Sequence, residues 1–298
     1  LEEEGIMEDT NLRSFLAILI ILIVAAGITF AGSQGGSEIN GIPIYAIGVA
    51  LAFIINWIAF IPAYIQKTEK FFDLTGSITY ITVLIVAVTL SPVADARSVL
   101  LLGIIGVWAI RLGTFLFMRI RAAGEDRRFR EIKKSLARFL LTWTIQGLWV
   151  TFSLAAALAA ITTELRLGLG VFAWIGFLVW ALGFGFEVIA DRQKSQFKEN
   201  PENEGKFINT GLWSWSRHPN YFGEIVLWIG VALVALPVLR SWQFVTLISP
   251  IFITLLLTRI SGIPMLEKRA DEKWGGQEDY EAYKSNTSIL IPRPPANR

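Results

Sequence analysis

Ser216-Arg217-His218-Pro219-Asn220-Tyr221-Phe222-Gly223-Glu224 is the point at which a polar, basic segment (191–218) gives way to a long apolar run. The residue before a proline avoids the helical region, and proline suits the first turn of a helix. A helix is therefore predicted to start at Pro219, with its free N–H groups and positive dipole end beside Arg217 and His218. Such a helix start suits an anion, a phosphate above all. Asn220 and Glu224 are four residues apart, Tyr221 and Glu224 three, so they share a helix face. Read for structure alone, the same groups cap the helix and anchor it at a membrane surface.

The apolar run after Pro219 is one of many. Of 298 residues 53% are hydrophobic and only 17% charged, where soluble globular chains carry about 25% charged residues. Mean hydropathy is +0.52. Eight runs are long enough to cross a bilayer: Leu12–Phe30, Ile44–Tyr64, Leu74–Leu90, Val99–Met118, Phe139–Ile161, Leu169–Ala190, Pro219–Leu239 and Phe244–Ile260. The expected fold class is all-α, a polytopic helical membrane bundle. The first run, with Arg13 ahead of it and Ala31-Gly32-Ser33 behind, also has the outline of a signal peptide. Residues 1–11 are acidic and expected to be disordered; 12–298 are expected to form a single transmembrane domain. The chain has no cysteine and one histidine, which excludes disulfides, thiolate chemistry and a histidine-rich metal site, so no metal is expected.

Basic residues set the orientation. Of 27 Lys and Arg, 22 fall in the N-terminus and in 65–73, 119–138, 191–218 and 261–298, which alternate to one side of the membrane; only Arg97, Arg166 and Arg240 fall on the other. Lys/Arg excess marks cytoplasmic loops, so both termini are expected in the cytoplasm. The segment 119–138 is the most basic and reads as a topology determinant or a lipid-headgroup contact. Ionisable groups at membrane depth face a cavity or a partner, or snorkel to the interface; Arg111 and Arg259 are the cases here. Glu187 and Asp191 share a face at the end of the sixth run. With Glu224, these carboxylates suit ribose hydroxyls, and the neighbouring cations suit phosphates. No strand-borne G-x-G-x-x-G, Walker motif, H-E-x-x-H or G-x-S-x-G occurs, and nothing points to nucleic acid.

Three longer runs carry a resemblance. They are Asp191-Arg192-Gln193, the stretch from Asn209 to Glu224, and Arg259-Ile260-Ser261-Gly262-Ile263-Pro264-Met265-Leu266-Glu267-Lys268-Arg269. With Gly124-Glu125-Asp126-Arg127-Arg128, Gln146-Gly147 and Ile291-Pro292-Arg293-Pro294-Pro295, they resemble the bacterial uncharacterised branch of the steroid 5-alpha-reductase-like family over about residues 70–295.

The resemblance implies a membrane reductase, here of a bacterial inner membrane. Its NADPH enters from the cytoplasm, and hydride passes to a C=C bond of a sterol- or isoprenoid-like enone drawn from the bilayer lipids. It places the cofactor motifs within 187–295. Asp191, Asn220, Tyr221, Glu224 and Arg259 match cofactor-contacting positions. Lys198 and Lys206 stand in place of arginines, keeping charge without bidentate pairing, and Glu187 replaces an asparagine. Arg217, His218, Glu267 and Arg128 complete the implied cofactor set. Asp73 stands in for the glutamate that polarises the substrate carbonyl; Arg111 lies near the position of the family's tyrosine, where a donor would stabilise an oxyanion. The stretch Arg217-His218-Pro219-Asn220-Tyr221-Phe222-Gly223, with Arg259-Ile260 and Glu267, is also similar to isoprenylcysteine carboxyl methyltransferases, which use S-adenosylmethionine. A non-catalytic lipid-binding protein is the third alternative.

Overall fold

The computed structural model describes residues 2–126 and 129–294. It is built almost wholly of helices, and eight of its segments are long and apolar enough to span a membrane: Asn11–Ser33, Ile44–Ile65, Phe72–Leu90, Ala96–Ala122, Leu136–Thr162, Val171–Glu199, Pro219–Val238 and Ser241–Trp274. The chain divides into two compact units, residues 1–173 with 234–249 and residues 174–233 with 250–298.

The first unit contains α1 (Glu2–Ser33), α2 (Ile44–Ile65), α3 (Phe72–Leu90), α4 (Ala96–Ala123) and α5 (Leu136–Thr162). Between α1 and α2 a short hairpin, β1 (Glu38–Ile39) and β2 (Ile42–Pro43), turns at Asn40-Gly41. Both turn residues have positive φ, 52° and 78°, the type I′ geometry that Asn-Gly adopts most readily. Asp95 and Ser135 start α4 and α5 by accepting the N–H groups of Ser98 (2.8 Å) and Arg138 (3.3 Å), as N-caps do.

Helix α5 is the most deeply buried, and its run Ala155-Ala156-Ala157-Leu158-Ala159-Ala160 has no exposed member. Small residues let membrane helices approach closely. Polar side chains in this core pair with one another or with backbone: Asn56 Nδ2 donates to Ala52 O (2.7 Å), Trp57 Nε1 to Thr144 Oγ1 (3.0 Å), and the Tyr80 hydroxyl to Ser153 Oγ (2.8 Å). Gln146 Nε2 donates to Phe72 O at 2.8 Å. Near the basic loop, buried Glu69 accepts Lys133 Nζ (2.7 Å) on one oxygen and the Asp126 N–H (2.9 Å) on the other. Phe129 from that loop joins Phe60, Phe139 and Trp143 in an aromatic cluster.

The second unit contains α6 (Val171–Glu199), α7 (Pro219–Ala235), the last turns of α8 (Ile248–Leu255), α9 (Ile263–Trp274) and α10 (Glu278–Asn286). Three features depart from the sequence reading. Helix α6 runs nine residues beyond the apolar limit at Ala190. Helix α8 ends in a π-helical turn, Leu256–Ile260. The polar tail, to which no helix was assigned, forms α9 and α10. Those two tail helices pack their aromatics on Phe207, whose ring lies 5.3 Å from both Tyr280 and Tyr283 and 5.9 Å from Trp274.

Candidate functional site

Helices α6 and α7 meet along glycines. A Cβ on Gly223 would lie 2.6 Å from Glu187 N and from Gly183 O; one on Gly230 would lie 2.5 Å from Trp180 N and 2.6 Å from Gly176 O. Gly183 is part of this seam, a Cβ there lying 2.4 Å from Leu227 N, whereas Gly185 faces open space. The close approach brings the backbone of Glu187 against the first turns of α7. Because α6 continues as helix past Ala190, Glu187, Asp191, Lys194 and Lys198 fall at intervals of four, three and four on one face.

Helix α7 starts where the proline predicted. The His218 carbonyl accepts the first intrahelical bond, from Phe222 N–H at 3.1 Å. Asn220 Nδ2 donates to Asp191 Oδ1 at 3.2 Å, tying the two helices together. Glu187, Asp191, His218 and Glu224 are all buried, between 2% and 8% exposed. Glu187 and Asp191 thus lie beside the first turns of α7, which carry Asn220 and Glu224.

Glu267, from the first half of α9, completes the arrangement. His218 Nε2 is 2.7 Å from its Oε1, and Arg217 Nη1 is 2.6 Å from its Oε2. The second contact is an ion pair at a poor hydrogen-bond angle. The buried Arg217 Nε has no hydrogen-bond acceptor, and Nη1 has only this poorly angled carboxylate oxygen. Burial pushes His218 below the ordinary imidazole range, against the upward pull of its bond to the Glu267 carboxylate. Tyr221 stacks on the His218 ring, 5.7 Å between centroids and 14° between planes. Gly262 leaves room for it: a Cβ there would be 2.9 Å from Tyr221 Cε2.

The tail holds this stretch from behind. Ser216 Oγ accepts the His218 N–H (3.1 Å) and donates to Leu290 O (2.8 Å). Arg217 N–H donates to Ser288 O (2.8 Å) and Arg293 N–H to Trp215 O (2.9 Å). The Tyr283 hydroxyl donates to Trp213 O (2.7 Å), and Trp213 Nε1 to Ala190 O (3.0 Å). Sequence reasoning missed Ser216, Tyr283 and Ser288 as supports; the only signal was the Tyr280/Tyr283 spacing and the Ile291–Pro295 ending.

The remaining candidates are spread more widely. Lys198, Lys206 and Arg259 are exposed. Arg128 lies outside the described residues. Asp73 and Arg111 belong to the other unit: Asp73 is half-buried in the first turn of α3, and the Arg111 guanidinium lies 5.2 Å from the centroid of the Phe115 ring.

Residues 59–287 match the profile of a family described as "Protein of unknown function (DUF1295)". The chain belongs to the DUF1295 family. Beyond DUF1295, it is 38% identical over 60 residues to the "Probable O-methyltransferase ustE" of Ustilaginoidea virens, covering 20% of this chain and 21% of that one. It is 29% identical over 118 residues to the "3-oxo-5-alpha-steroid 4-dehydrogenase 1" of Rattus norvegicus and of Mus musculus, 39% of this chain and 40% of theirs. The chain thus spans two-fifths or less of the length of these curated relatives. No solved structure matches it significantly. This DUF1295 chain is accordingly an integral membrane protein distantly homologous to steroid 5-alpha-reductase-like and methyltransferase-like proteins.

Proposed function

We propose that this protein is a membrane-embedded reductase that uses NADPH, taken from the cytoplasm, to reduce a C=C bond in a sterol- or isoprenoid-like enone. The observation that carries this reading is the first turn of α7. A largely buried arginine whose Nε lacks an acceptor, a histidine held by Glu267 and an Asp191–Asn220 pair meet at the start of one helix. The donor set fits a nucleotide: Asp191, Glu187 and Glu224 suit hydroxyl and amide groups, Arg217 and the helix start suit a phosphate, and exposed Lys198, Lys206 and Arg259 suit further anionic oxygens. When bound, NADPH supplies the hydride; the protein supplies placement and charge. Asp191 and Asn220 hold and orient the nucleotide. By the sequence resemblance, Arg111 and Asp73 are the candidates for polarising the enone oxygen, which takes up negative charge as the bond is reduced. The apolar helices admit the lipid substrate from the bilayer.

A methyltransferase using S-adenosylmethionine is the second reading. The 38% match over 60 residues to a probable O-methyltransferase favours it. Titration calorimetry of the purified protein separates the two. Micromolar-order binding of NADPH is expected, weakened roughly ten- to a hundredfold by Asp191→Asn. Binding of S-adenosylmethionine without NADPH would give the second reading, and binding of neither would leave a non-catalytic lipid-binding protein.

A further inference from the structure

The end of the basic segment after α4 helps build a cavity of about 320 Å³ between the beginnings of the first and fifth spans. Arg13 and Ser14 line it from α1; Arg138, Leu141, Thr142 and Ile145 line it from α5. The four α5 residues are spaced i, i+3, i+4 and i+7, a single helix face. Along that face the chemistry changes from guanidinium to hydroxyl to hydrocarbon, Ile145 lying about 10 Å beyond Arg138 at the helical rise.

Both arginines are exposed and sit at the polar ends of apolar spans that start at Asn11 and Leu136. That is the depth of lipid headgroups, to which arginines snorkel. The two helix beginnings are fastened together at the rim by Ser135 Oγ donating to Asn11 Oδ1 at 3.2 Å. Among the described residues no Asp or Glu lines the cavity; the nearby Glu131 pairs with Lys134 at 2.8 Å and also interacts with Arg138. A second cavity, of about 650 Å³ between α1 and α2, has the opposite character: its lining includes Glu38 and no Lys or Arg.

We infer that the cavity between α1 and α5 is a binding site for an anionic phospholipid. The phosphodiester sits between Arg13 and Arg138, and the start of an acyl chain lies on Leu141 and Ile145. The volume is near the lower end of the range for ligand pockets, about 300–1,000 Å³. It therefore matches a headgroup with its first methylenes, the rest of the lipid remaining in the bilayer. The apolar wall selects a lipid over a free phosphate. Basic pockets between membrane helices bind anionic headgroups in just this way.

Native mass spectrometry of the full chain, exchanged between phosphatidylglycerol and phosphatidylcholine in the same detergent, tests the inference. The wild type is expected to retain phosphatidylglycerol preferentially, and the Arg13→Gln/Arg138→Gln double variant to lose roughly thirtyfold in that preference, about fivefold per arginine. Leu141→Trp fills the apolar wall without touching charge and is expected to lower retention of phosphatidylglycerol as well. Equal retention of the two lipids by the wild type would overturn the site, and so would an unchanged preference in the double variant. Should the double variant not fold, Arg138→Gln alone carries the test at the fivefold level. Displacement of the bound lipid by millimolar glycerol phosphate would overturn the lipid assignment in favour of a soluble phosphate; persistence of the lipid supports it.

Discussion

Glu69 in the first unit and Glu267 in the second are both carboxylates withdrawn from water among cations, but their surroundings are satisfied to different degrees. Glu69 has each oxygen in a good hydrogen bond, one from Lys133 and one from the Asp126 backbone, and an aromatic cluster beside it. Glu267 also faces two partners, yet Arg217 is left with a buried Nε donor that has no acceptor. Buried polar groups are normally paired, so an exception calls for a reason. The first carboxylate closes a loop and leaves nothing over. The second leaves capacity at a helix start, where an anionic ligand would find it. Structural and receptive charge clusters are told apart here by their remaining hydrogen-bonding capacity, since both are ion-paired and both are largely shielded from water.

Substituting the two carboxylates gives the largest effects. Glu69→Ala leaves a partly buried lysine and an amide without partners, and is expected to lower stability by about 3 kcal/mol. Denaturant unfolding in detergent measures that loss, and nucleotide affinity should be unchanged in the folded fraction. Glu267→Gln is expected to shift nucleotide affinity at least roughly tenfold, about 1.4 kcal/mol. Nucleotide affinity that follows Glu69 and ignores Glu267 would erase the distinction.

The glycine seam offers a smaller effect. Gly223→Ala places a Cβ 2.6 Å from the Glu187 backbone, and overpacking of this kind costs about 1–3 kcal/mol. Gly185→Ala, into open space, is expected to stay within about 0.5 kcal/mol. Comparing their melting temperatures tests whether the α6–α7 approach holds the buried carboxylates in place; equal values for the two variants would refute it.

The smallest effect is with pH. His218 titrates below its ordinary value of 6.5 in the folded protein. The unfolded chain therefore binds more protons as pH falls through that value. The contribution of this group to stability is complete above about 6.5 and declines on acidification toward the lowered folded value. Melting curves between pH 8 and pH 5 should show a fall that His218→Gln flattens. A rise in stability on acidification would mean that the Glu267 bond outweighs burial.

Legibility differed sharply between levels. The eight apolar runs reappear as eight span-length segments, six with ends shifted by a few residues and the sixth and eighth extended to Glu199 and Trp274, because bilayer thickness and hydropathy set the apolar part locally. Helix α7 begins at Pro219 as its stereochemistry requires. The continuation of α6 to Glu199 was hidden because its last turns are polar and carry no apolar period. Helices α9 and α10 were hidden for the same reason, their stability coming from packing against Phe207. Within the candidate site, the shared face of Glu187 and Asp191 followed from spacing alone. That Asp191 would meet Asn220 did not, since nothing local says which turn of α6 faces which turn of α7.

Residue order alone determined that this is a bundle of eight membrane-length helices and that one of them starts beside Arg217 and His218. Hydrophobic run length and proline geometry act over a few neighbouring residues, and so can be read there. Only the tertiary structure decided that Glu267, 49 residues beyond His218, returns to hold both groups, and that the tail clasps residues 215–217 from behind. Charge pairing depends on where the chain comes back in space, and the packing of glycine-lined helices and of tail aromatics sets that return.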